Sequence, residues 1–163
     1  MSRTAFMKWV DRDGPKVSPS YIYVASSWTN VLQQALVGCL RALKLNVYDF
    51  RNPGLNEAGF KWEDVDPNWR KWTPAEWRSG LDHDAAKRGF ERDKAAMDRA
   101  ECCILVLPCG RSAHLEAGYM AAQCKPVFTL ALGPEGADLM VLLLGPSTHL
   151  CTTMNELFEQ LGL

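Results

Sequence analysis

The feature that most constrains this chain is an unbroken apolar run, Cys102 to Leu107 (CCILVL), held between Glu101 and Pro108. A stretch with no polar position cannot alternate between water and core, so a strand there is buried on both faces. Strands covered on both faces belong to parallel sheets, because parallel neighbours are joined by crossovers long enough to hold a helix.

The rest of the chain is consistent with that frame. Tyr21 to Ala25 (YIYVA) reads as a first strand. Val31, Leu32, Ala35, Leu36, Cys39, Leu40 and Leu43 follow at helical spacing, with Thr29 or Asn30 as N-cap. Asn46 to Asp49 begins a second short strand, and Leu81 to Ala100 is a charged helix with alternating signs. After the apolar run, Ala113–Gln123 reads as helix, Pro126–Leu132 as strand, Ala137–Leu144 as helix, His149–Thr152 as a last strand and Met154–Leu161 as a closing helix. This alternation predicts an α/β fold: a doubly wound parallel sheet of about five strands with helices on both faces, of the flavodoxin or Rossmann kind. The 163 residues are expected to form one domain, with residues 1–19 as an N-terminal arm.

Between Arg51 and Gly80 the periodicity fails, and Trp62, Trp69, Trp72 and Trp77 accumulate. Four large aromatics need a surface to pack on, which argues against disorder. This Trp-rich insertion after the second strand reads as a lid, or alternatively as an arm packed on the domain's side or on a neighbour.

Composition narrows the partners. Eighteen basic and nineteen acidic residues leave a net charge of −1 with no long basic run, which speaks against nucleic acid. No stretch approaches the roughly 18 apolar residues of a membrane span, and no signal-like apolar segment opens the chain. The six cysteines lie mostly in apolar stretches and form no C-x-x-C pair, and His83, His114 and His149 stand at no ligand spacing from them. We therefore expect reduced thiols, a cytoplasmic location and no metal.

In a doubly wound sheet, ligands bind beyond the carboxyl ends of the strands. That selects Ser26 to Asn30 (SSWTN) and Pro108 to Tyr119 (PCGRSAHLEAGY). Neither is a G-x-G-x-x-G or Walker loop, so dinucleotide binding of that type and P-loop phosphoryl transfer are not supported. In the second segment Gly110 offers backbone freedom, Arg111 a cation, and Ser112 a hydroxyl placed to cap the next helix, whose N-terminus favours anions. On the residues alone, Glu116 reads as a complement to the helix dipole, as a partner of Arg111, or as a nucleophile.

The string GRSAHLEAGY after an apolar strand, with ERDKAAMDRAE on the helix before it, resembles the nucleoside 2-deoxyribosyltransferase-like family, which includes deoxynucleoside 5′-monophosphate N-glycosidases. The resemblance covers most of the chain. It implies that Glu116 attacks the anomeric carbon of the sugar and that Asp93 contacts and helps protonate the base. It also implies that Tyr23, on the first strand, belongs to the site and that Ser26, Ser27 and Trp28 line the nucleoside pocket. Without it, Asp93 would read as a helix-surface charge near Arg92 or Lys94, and Tyr23 as a core aromatic.

Where family transferases often carry an acidic or polar residue before the nucleophile, this chain has Gly110, Arg111 and Ser112. Arg111 and Ser112 could hold a 5′-phosphate, or Arg111 could be a solvated cation. The expected partner is a small nucleoside or nucleotide, with no cofactor. Family members commonly form homo-oligomers, so a homodimer or larger assembly through the 113–123 helix is implied. Two competing readings keep the fold but not the reaction: a nucleotide-sensing module, and a structural protein using the tryptophan insertion as an interaction surface.

Overall fold

A computed structural model describes residues 19–54, 57–133 and 138–163. The strands are β1 (Tyr21–Ala25), β2 (Asn46–Asp49), β3 (Cys102–Val106), β4 (Val127–Leu130) and β5 (Leu150–Cys151). The helices are α1 (Val31–Ala42), α2 (Pro74–Gly80), α3 (Asp84–Arg99), α4 (Arg111–Ala122) and α5 (Met154–Leu161). Every strand pair is parallel, in the order β2-β1-β3-β4-β5. This is the doubly wound arrangement that the alternation predicts, and its strand order reverses between β1 and β3.

The apolar run at β3 is buried at all five positions and serves two cores. Cys102, Ile104 and Val106 meet Leu36 and Leu40 of α1 and Leu157 and Leu161 of α5. Cys103 and Leu105 point the other way, to Ala96 and Met97 of α3 and Ala113, Ala117 and Met120 of α4. A fully buried leucine or isoleucine here stabilises the fold by about 1.5–3 kcal/mol. On α4 two of the three buried contacts are alanines, so the first half of the helix lies close to the sheet and carries Glu116, next to Ala117, toward β1.

Several element boundaries differ from the periodicity. The charged helix begins at Asp84, because the His83 side chain accepts from the Ala85 N–H and caps it there. Before it lies α2, unforeseen inside the insertion, started by Thr73 and Glu76 in a reciprocal capping box with Pro74 at the first helical position. The helix expected over 137–144 is a 3-10 segment, Leu139–Leu143, begun by Asp138; residues 134–137 lie outside the described residues. Leu139, Met140, Leu142 and Leu143 are all exposed and only Val141 and Leu144 of this segment reach the core, too narrow a stripe to hold a longer helix. The fourth strand is Val127–Leu130, shorter than expected; Pro126 lacks a ladder donor and β5 offers only two residues to pair with. The expected arm, residues 1–18, falls outside the described residues.

The insertion is ordered by its aromatics. Phe60, Trp62 and Trp72 form successive edge-to-face contacts, and the Trp72 indole N–H donates to Asp66 at 2.6 Å. It meets the rest of the chain at Gly59, where a Cβ would stand 1.8 Å from the Phe50 carbonyl oxygen and 3.0 Å from the Trp28 ring, so only glycine permits that approach.

Candidate active site

The loops after β1 and β3 meet at the strand-order reversal, and side chains lock them together. Ser26 Oγ donates to the Val106 carbonyl at 2.9 Å. The buried Asn30 amide donates to the Val106 and Pro108 carbonyls at 3.2 and 3.1 Å, while its oxygen accepts from the Leu32 N–H and caps α1. Of the two expected caps, Asn30 is the one used; Thr29 instead bonds Ser27. Trp28 is 40% exposed and stands edge-on to Phe50, with the Lys61 ammonium 4.8 Å from its ring centre.

On the α3/α4 side of this junction, three of the expected residues come together. Tyr23 is wholly buried in β1. Its hydroxyl faces Glu116 without closing a well-formed hydrogen bond, and among the described residues it has no other partner. Burial, then the negative charges of Glu116 and Asp93, push the Tyr23 hydroxyl far above its usual range, so it stays protonated as a donor.

Glu116 is half-buried in the second turn of α4, and the helix has no acid in its first turn. It therefore sits beyond the free N–H groups that would make it a complement to the dipole. Among the described residues neither Glu116 nor Arg111 makes an ion pair. Burial, reinforced by the nearby Asp93 charge and partly offset by the Tyr23 hydroxyl, raises the Glu116 pKa from 4.5 to about 7.

Asp93 projects from α3. Burial raises its pKa, against the lowering effects of a 2.5 Å hydrogen bond from the Tyr48 hydroxyl and of the Arg92 charge. The Arg92 guanidinium stands 3.9 Å from Asp93 and 3.7 Å from Glu57 of the insertion.

Gly110, Arg111 and Ser112 lie exposed at the start of α4. Ser112 does not cap the helix as expected: Gly110 is the N-cap and supplies no side-chain bond, while Ser112 already lies inside the first turn. The first-turn N–H groups of α4 thus have no side-chain acceptor from the cap. At 1.5 Å per residue the first of them, on Arg111, stands about 7 Å along the helix from Glu116.

Composition and spacing do not reveal Tyr48 or Arg92. A tyrosine at the third position of each of the first two strands is the only trace of Tyr48, and its meaning depends on strand register. Tyr23 is the direct partner of Tyr48 in the β1/β2 ladder, and their rings stack at 5.3 Å. Elsewhere, an apolar cavity of about 50 Å³ lined by Val127, Leu144 and His149 is too small for a nucleoside-sized ligand.

No family model matches the chain and no curated protein matches it. It is similar to the solved structure of a 2-deoxyribosyltransferase from the psychrotolerant bacterium Bacillus psychrosaccharolyticus. The two share 22% identity over 74% of this chain and 79% of that chain, with a TM-score of 0.49. The likeness is one of fold.

Proposed function

We propose that the protein is an enzyme that cleaves or transfers the N-glycosidic bond of a (deoxy)nucleoside or nucleoside 5′-monophosphate, with Glu116 as nucleophile. The observation that carries this reading is the donor-poor, half-buried carboxyl of Glu116, held near neutrality beside a second half-buried acid and a tyrosine hydroxyl. Ionised Glu116 attacks the anomeric carbon while the C–N bond breaks. The bond's electron pair leaves with the base, which takes its proton from Asp93. Water, or a second base, then displaces the sugar from the Glu116 ester, giving its proton to the Asp93 carboxylate and regenerating the Glu116 carboxylate. Exclusion of water by the 51–80 insertion as a lid would favour transfer over hydrolysis.

Ser26, Ser27 and Trp28 flank the sugar and base in this reading, with Trp28 offering a ring face. Arg111, Gly110 and Ser112, with the uncapped first turn of α4, suit a 5′-phosphate at the far end of the ribose from Glu116. Among the described residues the cysteines form no disulfide, in accord with a cytoplasmic setting. Among the described residues no helix is long and apolar enough to cross a membrane. Exposed Leu115 on α4 gives that helix an apolar position for packing on a second copy in a homodimer.

Chromatographic detection of free base from a panel of nucleosides and 5′-monophosphates tests the proposal. The intact protein should release base and Glu116→Ala should not. Tight nucleotide binding without release by the intact protein would make it a sensing module instead.

A further inference from the structure

Resting on the proposed reaction, we propose that Tyr48 is a positioning residue for the leaving-group acid: its hydroxyl fixes one oxygen of Asp93 so that the other is presented, protonated, to the departing base. The geometry carries this. Tyr48 Oη donates to Asp93 Oδ1 at 2.5 Å, leaving Oδ2 as the oxygen able to carry the transferable proton. Tyr48 is itself buried, and its ring is fixed by the 5.3 Å stack on Tyr23, its ladder partner.

The sheet register thus stacks the two tyrosines, one with its hydroxyl facing Glu116 of α4 and the other bonded to Asp93 of α3. The charged and titratable groups facing Asp93 are Tyr48 from β2, Tyr23 from β1, Glu116 from α4 and Arg92 on its own helix, with Glu57 of the insertion reaching it only through Arg92. When Asp93 gives its Oδ2 proton to the base nitrogen, the carboxylate that remains keeps the Tyr48 bond, and a bond to a charged acceptor is stronger than one to a neutral acid. Tyr48 therefore favours the transfer without touching substrate.

Tyr48→Phe keeps the stacked ring and removes only the hydroxyl. It should lower kcat for base release about ten- to a hundred-fold with KM nearly unchanged. The alkaline limb of the pH–rate profile, set by loss of the Asp93 proton, should move to higher pH, as should the Asp93 carboxyl titration followed by ¹³C NMR. Near-native thermal unfolding would confirm that the fold is kept, and should it fail, Tyr48→Trp provides a second ring-retaining variant read by the same profile. An active wild type with an unshifted limb and an unshifted Asp93 titration in Tyr48→Phe overturns the role of Tyr48 alone. A wild type that releases no base from any member of the panel overturns the parent reading as well.

Discussion

Asp49 and Glu116 are both acids at least half-buried near the carboxyl end of the sheet, yet they have opposite chemistry. Asp49 ends β2 and is saturated with donors. Gln33 Nε2 stands at 2.8 Å, the Arg51 N–H at 3.0 Å, Asn52 Nδ2 at 3.1 Å and Gln34 Nε2 at 3.2 Å. Burial acts to raise its pKa, but these bonds outweigh burial and hold the carboxyl below its usual value. Glu116 is only half-buried, yet with the Tyr23 hydroxyl alone in aid and a second acid nearby its pKa is raised by burial. The difference teaches that hydrogen-bond supply, more than depth, decides whether a buried carboxylate is an anchor or a reactive group. Asp49 is the anchor: with it, Arg51 is held in place, and the Arg51 guanidinium donates to the Ser27 and Asn30 carbonyls, fixing the loop that borders the candidate site.

The comparison is broken most sharply by exchanging each acid for its amide. Glu116→Gln should cut base release on the order of 10³-fold or more, since the neutral amide cannot form the ester, whereas Asp49→Asn should keep activity within about tenfold. Equal losses in the two variants, measured as initial rates on one substrate, would erase the distinction.

Stability should respond in the opposite order. Asp49→Asn sets an amide N–H₂ among donors and strands part of a buried network, so urea unfolding at pH 7 should show a loss of about 1–3 kcal/mol. Glu116→Gln removes no ion pair and should unfold near the wild-type midpoint at acid pH.

The smaller effect is in the pH dependence. Glu116 titrates at about 7 in the fold against an ordinary 4.5, so between those values the folded chain keeps a proton that the unfolded chain releases. Stability from this group therefore falls as pH rises from about 4.5 to 7. Wild type should lose roughly 1–3 kcal/mol relative to Glu116→Gln between pH 5 and pH 8. Asp49 has the opposite sign: its contribution is present above its ordinary value and fades as pH drops through its lowered one. A wild-type curve parallel to that of Glu116→Gln would show that Glu116 is not perturbed.

The sheet was readable because its strands are short apolar runs set between turn signals: Tyr21–Ala25 and Asn46–Asp49 match the observed strands, and the CCILVL run predicts a strand with two buried faces. The first turn of α2 was visible in principle as Thr73-Pro74-Ala75-Glu76, but the surrounding tryptophans hid any periodicity. Leu139–Leu143 misled for the converse reason: its composition is that of a core helix, yet of its side chains Val141 alone packs on the core and the four others are exposed. At the candidate site, Glu116 as nucleophile was one of three readings of its segment, while Tyr23 and Asp93 were singled out only through the family resemblance, because nothing local connects residues so far apart in sequence. Tyr48 was not legible even so, since its bond to Asp93 follows from the β1/β2 register and the placement of α3. Residue order specifies neither directly.

The most direct test of the account is a ¹³C NMR titration of the side-chain carboxyls, with Glu116 and Asp49 assigned by their amide variants. Glu116 should titrate near 7 and Asp49 below the usual carboxylate range. Finding both in the ordinary range, or Asp49 above Glu116, would contradict the account.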